Sequence, residues 1–518
     1  MPKATAARAR VTARPAAVEI GGARPVTIAD VLAVARFHAP VAVAPSVDGR
    51  LRAARAHVER AVAEGAPVYG LTTGLGAAVD TALPAHDIAA FQARAVAARA
   101  VGVGVRLTTE EVRATLLVRL AGLAQGVSGI TPGFVPALRD ILNAGLHPVA
   151  HRTGSLGESD LAPLAELMLP FAGGGEAELD GVVRPGPEAL ARAGITAPRL
   201  GPKDGIALIN ASAASTALAA LAVADLAVAL DALTGSAALA LEGFRANLSI
   251  LDPRVVALHP APGQAEGVDR LRALLAGSAL WEPGAARRLQ DPLSFRCVAP
   301  VHGAALVGLD RAREAVEAEL ATAGDSPAIL AEDGLLLSTV NFDTTALALA
   351  LGALAQAAAH AAALAPFRIA KLMSEDLTGL PRFLARERGT RTGFATAQKT
   401  ASALEAEIRR LAVPVGPMTA PVADGIEDYA PMTPLAAEAV RTIADRLRLL
   451  AAVELAVAAQ AVDLRRDLTL GRGTQAIQGF VRARVAPLAE DRPTGPDFRD
   501  LADAIAAGEL RAALGRDA

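Results

Sequence analysis

The sequence predicts a mainly α protein: a long antiparallel helical bundle with a smaller mixed N-terminal part. Three observations lead there. Hydrophobic residues make up 52% of the 518-residue chain and aromatics only 3%. Alanine carries much of that hydrophobic share, and it combines the highest helix propensity with a very small side chain. Second, several apolar stretches with helical period run far longer than a strand would. Third, no internal repeat and no low-complexity linker divides the chain. One large helical domain is therefore expected, although the length alone would allow two to four.

The elements follow in order. Residues 1–20 read as a disordered tail. The first fifteen carry Lys3, Arg8, Arg10 and Arg14, no acidic residue and no apolar core of a secretory signal. A transit peptide is the other reading of that stretch. Residues 21–205 form the N-terminal part. Thr27 caps a helical run through Arg36, and Ser46–Glu64 repeats the pattern. A Gly-Pro-rich loop, Gly65–Gly76, precedes helices that continue to about Leu142, where Asn143 and Gly145 supply a stop. Pro148–Gly157 reads as a loop, and Leu161–Phe171 as an apolar helix broken at Gly173-Gly174-Gly175. Residues 206–485 form the central bundle. Residues 210–319 are expected to be largely helical, with a loop around Pro292. Thr344–Ile369 has no proline before Pro366, and a helix of that length spans about 39 Å. Leu435–Ala461 is another long helix, and 486–518 a C-terminal helical segment. Long alanine-rich helices cannot build a wide core alone, but they pack well against one another, including across subunits.

Composition also narrows the function. A net charge of -3 with 20% charged residues gives no reason to expect nucleic acid or an anionic membrane surface as partner. A single cysteine, Cys297, excludes an internal disulfide framework and fits a reducing, cytoplasmic compartment. The apolar run Ala211–Leu233 is interrupted by Asp225 and Asp231 and built on alanine, so it reads as a core helix rather than a membrane span. None of the eight histidines sits in a metal-ligand spacing, and His302 reads as a packed helix residue. The glycine clusters lack the lysine and hydroxyl residue of a phosphate loop.

Five segments carry the chemistry. Tyr69–Gly76 reads Y-G-L-T-T-G-L-G. Gly154–Leu164 reads G-S-L-G-E-S-D-L-A-P-L. Lys203–Asn210 reads K-D-G-I-A-L-I-N, and Gln290–Cys297 reads Q-D-P-L-S-F-R-C. The fifth pairs Asn341-Phe342 with Glu427-Asp428. In this order, they resemble the histidine and aromatic amino-acid ammonia-lyase family, over about residues 65–432. The family patterns are Y-G-x-x-T-G-F-G, G-S-x-G-A-S-G-D-L-A-P-L, K-E-G-L-A-L-I-N, Q-D-x-Y-S-x-R-C, and N-F-H-G with Q-E-D-H.

The resemblance implies a histidine/phenylalanine ammonia-lyase-like fold and a homotetramer with active sites shared between chains. It implies Tyr69 as the base that removes the β-proton and Glu427 beside the substrate's amine or side chain. Arg296 would hold the α-carboxylate, which suits a guanidinium, with Asn210 and Gln290 orienting the substrate. Phe342 and Gly76 would line the same pocket, and Ser155 and Asp160 would support it. Each residue also has a plain reading. A glycine-rich loop is a turn, an arginine is most often a surface ion-pair partner, Asn210 or Gln290 could cap a helix, and Glu427 could be a solvated carboxylate.

The departures decide what chemistry to expect. The family's Ala-Ser-Gly cyclises into an electrophile, methylidene-imidazolone. Here only Glu158 and Ser159 stand between Gly157 and Asp160. Either Asp160 replaces the glycine and the family aspartate is lost, or Asp160 is that aspartate and one residue is missing. Under both alignments the prosthetic group is not expected to form, and no cofactor is expected. Leu293 replaces a family tyrosine, and Arg99 stands where histidine lyases place a histidine facing the substrate. A buried cation there calls for an anionic or strongly polar substrate group. A trimethylammonium group already leaves as a neutral amine, so a member lacking the electrophile can retain β-elimination if its substrate is a betaine. The pattern resembles the family branch that releases trimethylamine from ergothioneine to give thiourocanate, whose thione would suit Arg99. The other readings are an ammonia-lyase or aminomutase on another amino-acid-like substrate, or a non-catalytic binding homologue.

Overall fold

The computed structural model describes residues 16–387, 389–465 and 468–515. The expected tail lies, up to residue 15, outside the described residues. Val18–Ile20 forms a short strand parallel to Val41–Val43. The chain divides into two compact units that interleave along the sequence. One holds the residues up to Leu221 with 316–345 and 416–434; the other holds 222–315, 346–415 and 435–518.

In the first unit, helix Ile28–Phe37 starts at a capping box. The Thr27 hydroxyl accepts from Asp30 N and the Asp30 carboxylate accepts from Thr27 N, so two orphan donors are satisfied reciprocally. Ser46–Glu64 is helical as expected and ends at left-handed Gly65. Helices Ile88–Ala97, Thr109–Ala124 and Phe134–Ala144 follow, the last stopped by left-handed Gly145. The loop expected over Pro148–Gly157 is partly sheet. His151–Thr153 pairs antiparallel with Val103–Arg106, and His147-Pro148 pairs with the hairpin Glu176–Leu179/Val182–Pro185. Strands of two to four residues carry too few positions for a period of two to show. Leu161–Phe171 is a helix to Met168 and a tighter 3-10 turn beyond it, ending at left-handed Gly173.

The second unit is the bundle. Helix Ala213–Phe244 is 32 residues long and enters this unit at Ala222. Thr433–Asp463 lies alongside it in the same direction. Asp225 meets Arg441 at 3.7 Å, Ser236 meets Glu454 at 2.6 Å, and a Cβ on Gly243 would lie 2.9 Å from that of Ala461. Val298–Leu320 runs antiparallel to Thr345–Leu372, with Gly308 against Leu354 and Ala357. Ala397–Leu411 runs antiparallel to Thr433–Asp463, its Glu407 paired with Arg446. Small residues at the contact lines let the helix axes approach, which is what the alanine content is for.

One expectation is corrected here. Residues 246–292 are not largely helical. Pro253, Pro260, Pro262 and Pro283 cut them into short pieces, the longest being Gln264–Leu274. The helix expected over Thr344–Ile369 is present and runs through Pro366 to Leu372. Proline removes one hydrogen bond and crowds the preceding turn. Here Arg368, Ile369 and Leu372 are fully buried just beyond it, and Arg368 is clamped to Glu454 at 2.5 Å. That packing outweighs the lost bond. The expected core helix is confirmed, since Ala213–Phe244 is buried on nearly every side. Thr345–Leu372 is also long and apolar enough to span a membrane by composition, and only 39% of its most apolar window is buried, with Leu349 and Phe367 exposed.

Candidate active site

The first unit brings Tyr69, Glu158, Ser159, Asp160, Asn210, Phe342 and Glu427 into one group of neighbouring segments. The segment Gly154–Asp160 is held on both sides. Asp160 is fully buried at the start of helix Leu161–Met168, and its carboxylate accepts from Ser155 Oγ at 2.6 Å and from Ser215 N and Oγ, both at 2.7 Å. Burial pushes this carboxyl above the usual range, against those hydrogen bonds. Its place ahead of Leu-Ala-Pro-Leu makes it the aspartate of D-L-A-P-L, so the departure is one lost residue. Ser159 adopts a left-handed conformation with φ 59°. Its N donates to Ser212 Oγ at 3.2 Å and its hydroxyl to Asn210 Oδ1 at 2.6 Å. Gly157, at φ 83°, packs so tightly that a Cβ would lie 2.7 Å from Thr433 N. Only glycine meets both demands.

Asn210 is therefore committed to the protein at both ends, since its Nδ2 donates to Ser326 O at 2.8 Å. It positions Ser159. Phe342 contributes its carbonyl, which accepts from Ser212 Oγ at 2.5 Å. Removing the Asp160 carboxylate would leave three buried donors unpaired. Asp160→Ala is expected to destabilise the fold by about 3 kcal/mol or more, read as a lowered unfolding midpoint.

Tyr69 sits on a loop whose base is fixed by Gln92. The Gln92 side chain donates to Gly70 O at 3.0 Å and accepts from Ile206 N at 3.3 Å. The Tyr69 phenolic oxygen accepts from Gly76 N at 3.0 Å. The turn at Gly76–Ala78 packs on the turn Ala423–Gly425, which brings the segment carrying Glu427 beside the tyrosine loop. That segment is tied to the motif by Met432 N donating to Leu156 O at 2.8 Å. Thr344 Oγ1 lies 2.7 Å from Thr433 Oγ1 and donates to Gly157 O at 2.9 Å.

Carboxylates converge here. Glu158 pairs with Asp343 through an isolated antiparallel bridge. Burial, with the charges of Asp343 and Glu427, pushes Glu158 up to about 7. Burial and Asp343 also push Glu319 up to about 7. Glu319 lines a small recess of about 30 Å³ with Arg119, Ser212, Thr216 and Asn341. Tyr429 Oη, Thr345 Oγ1 and Asp343 form a chain with steps of 2.7 and 2.8 Å. Asp343, Glu319 and Tyr429 were not singled out as site residues from sequence. Asp343 had a signal, since it replaces the histidine of N-F-H-G, whereas Glu319 sits in a helical run with no local mark.

Arg99 lies two residues past helix Ile88–Ala97, and its guanidinium donates back to Ala95 O at 3.1 Å. Gly102, just before the strand Val103–Arg106, has a Cα that would lie 3.3 Å from a Cβ on Gly154. Arg296 and Gln290 belong to the second unit. Gln290 is exposed. Arg296 closes the short helix Leu293–Arg296, and its buried Nε has no hydrogen-bond partner. Phe295 beside it stacks on Phe244 at 4.1 Å between ring centres. His302 is buried against Thr234 at 3.0 Å, and burial pulls it down to about 3, as fits a packed neutral histidine.

A family model described as aromatic amino acid lyase matches residues 26–483. The chain belongs to that family. It is 39% identical to a histidine ammonia-lyase of Symbiobacterium thermophilum, covering 96% of this chain and 98% of the relative. Among solved structures, it is similar to the ergothionase of Treponema denticola in complex with desmethyl-ergothioneine sulfonic acid, with TM-score 0.90 and 31% identity over 95% of this chain and 99% of that one. It is also similar to histidine ammonia-lyase from Trypanosoma cruzi, with TM-score 0.88 and 28% identity over 96% and 95%. The protein is thus a carbon–nitrogen lyase of the ammonia-lyase superfamily acting on an amino-acid-like substrate, with the mainly α fold of that family. The residues at its motif do not fit the family's methylidene-imidazolone. Ring closure needs the third residue's N to reach the first residue's carbonyl with no Cβ in the way. Here the residue after Ser159 is Asp160, and its N is bonded to Ala211 O at 2.9 Å.

Proposed function

We propose that this lyase works without methylidene-imidazolone and eliminates trimethylamine from a histidine-derived betaine, converting ergothioneine to thiourocanate. The observation that carries the reading is the turn Gly157–Asp160, in which the electrophile's precursor is replaced by a carboxylate residue and a committed backbone N–H. The likeness to an ergothionase supports the substrate class. The electrostatics agree with it, because burial and the charges of Asp343 and Glu427 raise the cost of ionising Glu158, and a permanent cation relieves that cost.

In the proposed reaction Tyr69 takes the β-proton. The Cβ–H electron pair becomes the Cα=Cβ bond, and the Cα–N pair leaves with neutral trimethylamine. Gly76 N, already donating to the tyrosine oxygen, is placed to stabilise charge on it. Arg296 holds the α-carboxylate, Gln290 assists in orientation, and Arg99 faces the thione. A homotetramer sharing its sites between chains would bring residues of both units to one substrate and would cover the exposed apolar residues Leu349 and Phe367. The 39% identity to histidine ammonia-lyases favours a second reading, ammonia release from a free amino acid. Incubation with ergothioneine, followed by mass spectrometry of the product, tests the proposal. Formation of the unsaturated acid is expected, and unconsumed ergothioneine contradicts it.

A further inference from the structure

We propose that Glu158 selects the leaving group, its carboxylate holding the substrate's quaternary ammonium at the place where other family members carry their electrophile. This rests on the elimination reading above and names the residue that makes it specific.

The backbone around Glu158 is held by hydrogen bonds on both sides: Gly157 O accepts from Thr344, Ser159 N donates to Ser212, and Asp160 N donates to Ala211. The direction of the Glu158 side chain is thereby set. Yet its Oε2 is buried with no hydrogen-bond partner, while the Ser155 and Ser159 hydroxyls and the Asp160 carboxylate beside it are engaged. Its nearest charged company is two more carboxylates, Asp343 and Glu427. A half-buried carboxyl group facing like charge is costly unless a cation completes it. Among the described residues of this unit, the buried carboxylates Asp204 and Asp325 have partners: Asp204 has Arg55 and Thr131, and Asp325 has Arg119. Glu158 Oε2, by contrast, is left for something that arrives.

The nature of the cation follows from the chemistry. A carboxylate is no electrophile and cannot form the covalent adduct through which the family's prosthetic group activates an amine. It can only attract positive charge. A quaternary ammonium offers charge without N–H donors and leaves as a neutral amine with no activation. Because that charge disappears as the C–N bond breaks, Glu158 stabilises bound substrate more than transition state. Its loss should therefore act on KM more than on kcat.

Calorimetric binding of two probes decides the matter. Hercynine carries the trimethylammonium group, whereas imidazolepropionate has the same ring and carboxylate without it. Glu158→Gln is expected to weaken hercynine by about 10- to 100-fold and leave imidazolepropionate within about twofold, with Glu158→Asp falling between. Equal loss for both probes, no loss for either, or no hercynine binding by the wild type overturns the proposal. If the variants do not fold, the wild type supplies the answer through pH. Hercynine affinity should fall as pH drops through about 7, where Glu158 takes its proton, while imidazolepropionate affinity should not. Asp343 and Glu427 face Glu158 directly, and Glu319, which titrates in the same range, faces Asp343. A Glu319→Gln variant should keep the pH dependence, and its disappearance there overturns the assignment. Trimethylamine release is read separately. A wild type that shows the hercynine pattern but releases no trimethylamine leaves Glu158 as a cation-holding residue and removes the elimination reading.

Discussion

Tyr69→Phe is expected to lower kcat by about 10²-fold or more while changing substrate affinity only severalfold. The phenolic oxygen is the only atom removed. In the structure it accepts from Gly76 N on its own loop, so its loss frees one partly buried N–H and leaves the backbone ties of the loop to Gln92 in place. A structural tyrosine would show little change in rate, and a non-catalytic homologue would keep its ligand with no rate to lose. Steady-state kinetics, together with ligand binding by the variant, separates these cases. Unchanged kcat would remove Tyr69 from the chemistry.

The largest effect on stability is expected in the bundle. Arg368 and Glu454 are both fully buried and paired at 2.5 and 2.8 Å, with Ser236 Oγ donating to the same carboxylate at 2.6 Å. Arg368→Met leaves Glu454 charged or protonated without its main partner, at a cost of about 3–5 kcal/mol. The pair as a whole need not stabilise the protein, since both ions were taken out of water. Adding Glu454→Leu to Arg368→Met should therefore recover much of the loss. Thermal unfolding of the two variants checks this. A double variant no more stable than the single one would contradict the account and point to a packing role for the arginine stem.

What was legible in the sequence was what repeats or what is rare. The long helices repeat an alanine-rich pattern for 23 residues or more, so their existence was plain and only their ends moved. Pro366 lies inside the helix read through it, and the burial of Arg368, Ile369 and Leu372 outweighs its local cost. The short strands around Val103 and His151 were hidden because pairing, not period, creates them. In the site, Gly157, Ser159 and Asp160 stood out as a damaged motif. Asn210 was read as a substrate ligand, and the structure gives both of its polar ends to Ser159 and Ser326. Glu319 and Tyr429 join the site only because segments distant in sequence, a helix end and a loop, converge on Glu158 and Asp343. No pattern in a single chain announces such convergence.

The amine released by the purified protein tests the central claim most directly. Ergothioneine, hercynine and histidine are incubated separately with one preparation, and trimethylamine and ammonia are both assayed. The account predicts trimethylamine from ergothioneine and no ammonia from histidine, by a chain whose intact mass shows no loss of water at Glu158-Ser159-Asp160. Ammonia from histidine, with a dehydrated chain, would contradict it and mean that an electrophile forms at this turn after all.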